Sequence, residues 1–152
     1  MSSDIFGNLR EWGHVPEQLA QLTQAGALDG HQKGLIRLLR YRHNWRLREM
    51  ALEAVQHLRS PTGGLISEVL AIVMDEGLYC EVRMLAAKSL SALLCQSAPR
   101  FSSDNRAILC HVIQKMNMLL GLPQPPVMHR VLRECLAAIE GEAPTSEPQV
   151  AL

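Results

Sequence analysis

Aromatic residues are scarce: Phe, Trp and Tyr occur twice each and make up 4% of 152 residues. A surface built to stack bases is therefore not expected. Long apolar runs are missing too. None approaches the ~20 residues that span a bilayer, so no membrane insertion is expected. The opening Met1-Ser2-Ser3-Asp4-Ile5-Phe6 has no basic segment followed by an apolar stretch, unlike a signal peptide. Net charge is absent, with 15 Lys+Arg against 15 Asp+Glu. Bulk attraction to nucleic acid or to a membrane surface is not implied. Cysteine is sparse as well. The four thiols, at 80, 95, 110 and 135, are spaced more widely than a disulfide framework. Cys80, Cys95 and Cys135 lie in apolar helical segments, where a reduced thiol serves as a small apolar residue. The implied compartment is reducing, cytoplasmic or nuclear.

Chemistry-bearing motifs are missing in the same way. There is no Cys-x-x-Cys, His-x-x-x-His or His-Glu-x-x-His spacing, no Gly-rich phosphate loop and no glycine-flanked Ser or Cys elbow. Neighbours on a helix differ by about 100°, so the adjacent Cys110 and His111 face different ways. A Cys–His pair assembled only by the fold stays open, with Cys110 or another thiol as its nucleophile. The expectation is a protein without metal, cofactor or catalysis.

What is present is helix, punctuated by breakers at Gly13, Gly26–Gly30, Ser60–Gly64, Gly77, Ser97–Pro99, Gly121–Pro126 and Gly141. Alternation at period two is nowhere developed. Pro16 suits the first turn of a helix over 16–25 and Gly26 the left-handed residue after it. Ser102, Ser103 or Asp104 suits the cap of a helix running to Leu120. Pro125 and Pro126 suit the entry to a last helix that stops at Gly141. Gly63-Gly64 reads as a flexible turn. Residues 1–141 form a single helical-repeat domain, and 142–152 form a disordered tail. The tail ends on Val150-Ala151-Leu152, a weak match to a PDZ-domain ligand.

Three segments carry one apolar pattern at i, i+3, i+4, i+7, i+8 and i+11, the stripe of an amphipathic helix. The first is Leu47, Met50, Ala51, Ala54, Val55 and Leu58. The second is Val82, Leu85, Ala86, Ser89, Leu90 and Leu93. The third is Met128, Val131, Leu132, Cys135, Leu136 and Ile139. The offsets are 35 and 46 residues. Each stripe follows another helical segment: Leu35, Leu38 and Leu39; Leu65, Ile66, Val69, Leu70 and Val73; Leu109, Val112, Ile113, Met116 and Leu120. A helical hairpin repeated in this way buries its apolar face by stacking. The units are about 31–59, 65–96 and 103–140. Residues 4–26, with Ile5, Phe6, Leu9, Trp12, Leu19 and Leu22, form an N-terminal helical cap.

Asp75, Val82-Arg83, Ala86-Ala87 and Leu90 in the middle unit resemble the HEAT repeat, which is close to the armadillo repeat. The first unit keeps Leu47-Arg48, Ala51-Leu52 and Val55, with Arg40 where the pattern has Asp. The third has His129 where the pattern has Arg. The resemblance covers roughly residues 31–140. It implies an all-α fold, a short α-solenoid of about three antiparallel hairpins stacked right-handedly. It also implies a concave surface lined by the second helices and a ladder of Asp–Arg contacts between units.

One charge feature stands out. Lys33, Arg37, Arg40, Arg42, Arg46 and Arg48 place six of the 15 basic residues within 16 positions, with no acid among them. They form either a positive ridge or a solvated face neutralised by Glu49, Glu53, Glu68, Asp75, Glu76 and Glu81. An acidic protein segment is the expected partner of a ridge. RNA is the alternative, because Tyr41 and Trp45 lie within the run. Off the stripes, Arg46, Glu49, Glu53, Glu81, Lys88, Arg130 and Arg133 are the candidate partner-binding positions on the second helices. Three units leave terminal apolar surface to cover. Self-association or assembly with a larger partner is therefore expected, with Met84, Met116 and Met118 as candidate sticky positions. The sequence thus points to a protein-interaction scaffold or adaptor.

Overall fold

The computed structural model describes residues 5–97 and 103–142. Among them the chain is all-α, with seven α-helices and no strand. These are α1 (Val15–Ala25), α2 (Gln32–Arg40), α3 (Trp45–Val55), α4 (Gly63–Met74), α5 (Cys80–Ser97), α6 (Ser103–Leu120) and α7 (Pro126–Glu142). Short 3-10 turns over Leu9–His14 and Leu28–His31 lead into α1 and α2.

Local chemistry sets the ends. Pro16 sits in the first turn of α1. Gly26 closes α1 at φ +67°, a left-handed conformation that a side chain would strain. The Asn44 side chain caps α3 by accepting from the Arg46 N–H at 2.9 Å. Thr62 Oγ1 caps α4 by accepting from the Leu65 N–H at 3.2 Å. The Pro125 carbonyl accepts from Met128 and His129 as α7 begins.

Two local expectations are corrected. Gly63 and Gly64 are not a turn; they form the first turn of α4 behind the Thr62 cap. A Cβ on Gly63 would come within 2.9 Å of Ile108 Cδ1, so its bare backbone is what lets α6 approach α4. Gly141 does not stop α7, which runs on to Glu142. The residues just before α6, and the expected tail beyond Glu142, lie outside the described residues.

The stripes are the core. All three are buried or half-buried along their length, and Leu47, Ala51, Val55, Ala86, Leu90, Leu93, Met128 and Leu132 are completely enclosed. The first helices bury Leu35, Leu38 and Leu39, then Leu65, Ile66, Val69, Leu70 and Val73, then Leu109, Val112 and Met116. Met116 is therefore core and not a sticky surface residue, whereas Met118 is exposed. In the N-terminal segment Phe6, Leu9, Leu19 and Leu22 are buried, but Ile5 is exposed and contributes only its carbonyl, which accepts from Gln18 Nε2.

The helices meet in a regular order. Consecutive helices pair as α2–α3, α4–α5 and α6–α7. Alternate helices also touch: α2 with α4 and α4 with α6, and α1 with α3, α3 with α5 and α5 with α7.

Candidate functional site

The basic run 33–48 spans α2, the following turn and the first turn of α3, and the fold uses its members differently. Arg37 Nη2 reaches back to the N-terminal segment and donates to the Gly7 carbonyl at 2.7 Å. Arg40 crosses to α4 and pairs with Glu68, Nη2 to Oε2 at 2.6 Å. Glu68 pushes the Arg40 pKa further up, by hydrogen bond and then by charge. Arg48 Nε donates at 3.0 Å to the Leu39 carbonyl, in the last turn of α2, where carbonyls have no helical partner. Arg46 lies over the Trp45 ring, its guanidinium 5.8 Å from the centroid. Lys33 and Arg42 are exposed.

Arg40, Arg42 and Arg48 converge on one cavity of about 350 Å³ between the ends of α2 and α4. Ile72 and Leu78 contribute apolar wall, and Glu68 and Asp75 are its acids. The Arg48 pKa is pulled down by burial and next by the Arg42 charge, while Asp75 acts in the opposite direction. With three arginines against two carboxylates in its lining, the cavity is in positive excess. Of the acids that the sequence offers as neutralisers, Glu68 pairs with Arg40 and Asp75 acts on Arg48. Among the described residues Glu49, Glu53, Glu76 and Glu81 form no ion pair.

One bond recurs along the chain. Arg83, 35 residues after Arg48, donates from Nε to the Val73 carbonyl at the end of α4, at 2.9 Å. His129, a further 46 residues on, places Nε2 at 3.1 Å from the Leu122 carbonyl after α6. Arg48 and Arg83 thus each satisfy a carbonyl in the last turn of the preceding helix, and His129 reaches one two residues past the end of α6. Among the described residues the Asp–Arg ladder implied by the HEAT resemblance has no hydrogen bond at Asp75, whose Oδ1 accepts from Gly77 N–H in its own turn. Arg83 is only 5% exposed, and its Nη2 has no protein partner among the described residues.

The pattern of apolar stripes gave no warning of the strongest polar ties. Gln32, buried at the start of α2, donates from Nε2 to Asp29 O and Ser60 O and accepts at Oε1 from Thr62 N–H at 2.8 Å. The Asp29 carboxylate accepts from the Arg59 and Ser60 N–H groups, the latter at 2.6 Å. Ser89, fully enclosed, donates to the Leu52 carbonyl on α3 at 2.6 Å and accepts from Gln56 Nε2. The available signals were a serine inside an apolar stripe and a glutamine three residues after an aspartate.

The off-stripe candidates lie on α3, α5 and α7, which touch in succession. Arg46, Glu53, Glu81, Lys88, Arg130 and Arg133 are exposed and Glu49 half-buried. Glu53 borders a groove of about 450 Å³ between α1 and α3, lined by Pro16, Leu19 and Met50. Glu49 and Glu81 meet at a pocket between the starts of α3 and α5. Lys88 acts electrostatically on Cys135 of α7. Burial, and then the Glu134 charge, push the Cys135 thiol up to about 11, so it is a protonated core residue at neutral pH. Cys110 and His111 are both exposed. Among the described residues no cluster of His, Cys, Asp and Glu is suited to a metal ion. No helix of the described residues is long and apolar enough to cross a membrane. Comparison with protein-family models, with curated proteins and with solved structures finds no match in any of the three.

Proposed function

We propose that the chain is a short HEAT/armadillo-like α-solenoid that works without catalysis in the cytosol or nucleus, as a scaffold binding an acidic segment of a protein partner. The repeated order of helix contacts and the recurrent bond at 48, 83 and 129 support the solenoid reading. The observation that carries the binding reading is the cavity where Arg40, Arg42 and Arg48 converge. Arg40 already has Glu68, Arg48 is held in place by the Leu39 carbonyl, and Arg42 is left for a ligand. An incoming carboxylate would relieve the repulsion between Arg42 and Arg48 and bond a guanidinium in two-pronged geometry. The off-stripe residues of α3, α5 and α7 would extend the contact, and the uncovered ends of a three-unit stack favour self-association or a larger assembly.

Arg42→Glu tests the reading cleanly, because Arg42 makes no hydrogen bond or ion pair within the described residues. A fluorescein-labelled hexaglutamate peptide should bind the parent chain and lose about tenfold or more with Arg42→Glu, as charge reversal adds repulsion to a lost bond. Equal binding by both proteins would sink it. A labelled oligouridylate run in parallel separates the RNA alternative: tighter binding than hexaglutamate, with affinity collapsing as salt rises, would replace the protein partner with RNA.

A further inference from the structure

The starts of α3 and α5 enclose a pocket of about 280 Å³ between Trp45, Tyr79 and Val82, edged by Glu49 and Glu81. It is distinct from the arginine cavity, and its composition is opposite in sign. In a chain with only two Trp and two Tyr, one of each is spent here. Trp45 is 60% and Tyr79 81% exposed, whereas Trp12 and Tyr41 pack against the core. The fold gains little burial from either ring.

Electrostatics selects the ligand. The faces of indole and phenol rings carry negative quadrupole potential and attract cations. Glu49 and Glu81 add two carboxylates, and among the described residues neither has an ion-pair partner. An anionic ligand would be repelled. The walls are mainly apolar and the carboxylates act at the rim, where a purely apolar ligand would leave their charge unanswered. A side chain with an aliphatic stem and a cationic head satisfies both parts: the stem against Val82 and the rings, the head against the carboxylates. The Trp45 ring already draws the Arg46 guanidinium to 5.8 Å, yet Arg46 does not line the pocket.

We propose that this pocket receives a lysine or arginine side chain from a protein partner. The proposal does not depend on the arginine cavity holding an anion.

The chain's two tryptophans make the test self-controlled. Nα-acetyl-lysine amide is titrated into the nitrogen-15-labelled full chain while the two indole N–H signals are followed. The expected result is a saturable shift of the Trp45 signal with no shift of Trp12. Nα-acetyl-norleucine amide, with a similar stem and no charge, should produce none. Glu49→Gln with Glu81→Gln should weaken the lysine probe at least about fivefold while the rest of the spectrum is kept. Arg42→Glu should leave the titration unchanged, which separates this result from failure of the acidic-segment reading. The proposal is overturned if the norleucine probe shifts Trp45 equally, if the lysine probe leaves Trp45 unmoved, or if the double variant binds as well as the parent.

Discussion

Where α2–α3 meets α4–α5, directed polar bonds cross from one pair to the other. Gln32 and Asp29 hold the 59–62 linker, Arg40 holds Glu68, and Ser89 holds Leu52. Where α4–α5 meets α6–α7, the described residues offer mainly apolar contact. Gly63 faces Ile108, the Cys95 thiol donates weakly to Ala138 O at 3.6 Å, and Ser91 bonds Cys135. Helix length explains the contrast. α2, α3 and α4 have 9, 11 and 12 residues, whereas α5, α6 and α7 have 18, 18 and 17. Long stripes bury enough apolar surface to hold a helix in place by packing alone. Short ones need directional bonds to fix how far one pair slides along the next. The cations follow the same division. Arg48 sits within the field of Asp75, whereas the position corresponding to Asp75 at the 46-residue offset is Gly121.

Four measurements test this contrast. Leu132→Ala, at a fully enclosed position of α7, should cost about 3 kcal/mol in denaturant unfolding, because the cavity it leaves removes packing from the second junction. A loss below about 1 kcal/mol would refute its dependence on packing. Gln32→Ala removes the hydrogen bonds that stitch the first junction and should cost about 2 kcal/mol. Amide exchange should then rise in the 56–62 linker before it rises in α6 or α7; uniform acceleration would mean that Gln32 is not a local stitch. Arg83→Met trades the Val73 bond for relief of a buried cation with an unpartnered nitrogen, and stability should stay within about 1 kcal/mol of the parent. A larger loss would show that the guanidinium itself holds the second junction. The last measurement concerns Cys135, whose effect is confined to alkaline pH. An unfolded chain ionises this thiol near 9.0 and the fold near 11, so in that window the unfolded state has released a proton that the folded state keeps. Stability should fall as pH rises through the window and be insensitive to this thiol below it. A Cys135→Ala variant with the same alkaline slope as the parent would contradict that origin.

The residues divide by what they report. Leu47 to Leu58, Val82 to Leu93 and Met128 to Ile139 were legible as buried faces because their spacing follows the helix turn. Pro16 and Gly26 were legible as the ends of α1 because end signals involve only near neighbours. Gly63-Gly64 misled, because a glycine pair reads as a turn unless the close approach of another helix is known. The site was legible only in composition. The cluster 33–48 is plain in the sequence, but not that Arg37, Arg40 and Arg48 are committed to internal bonds. Nor does anything near Trp45 announce Tyr79.

The helices, most of their ends and the faces they bury follow from local chemistry, since periodicity, caps and breakers act within a turn or two. Which arginines stay available, which carboxylates answer them and which two aromatics share a pocket emerge only when the helices pack. Arg40 and Glu68 are 28 residues apart. Whether such partners meet depends on how far each helix pair slides against the next, and Gln32, Asp29 and Ser89 set that slide through bonds that local periodicity does not encode.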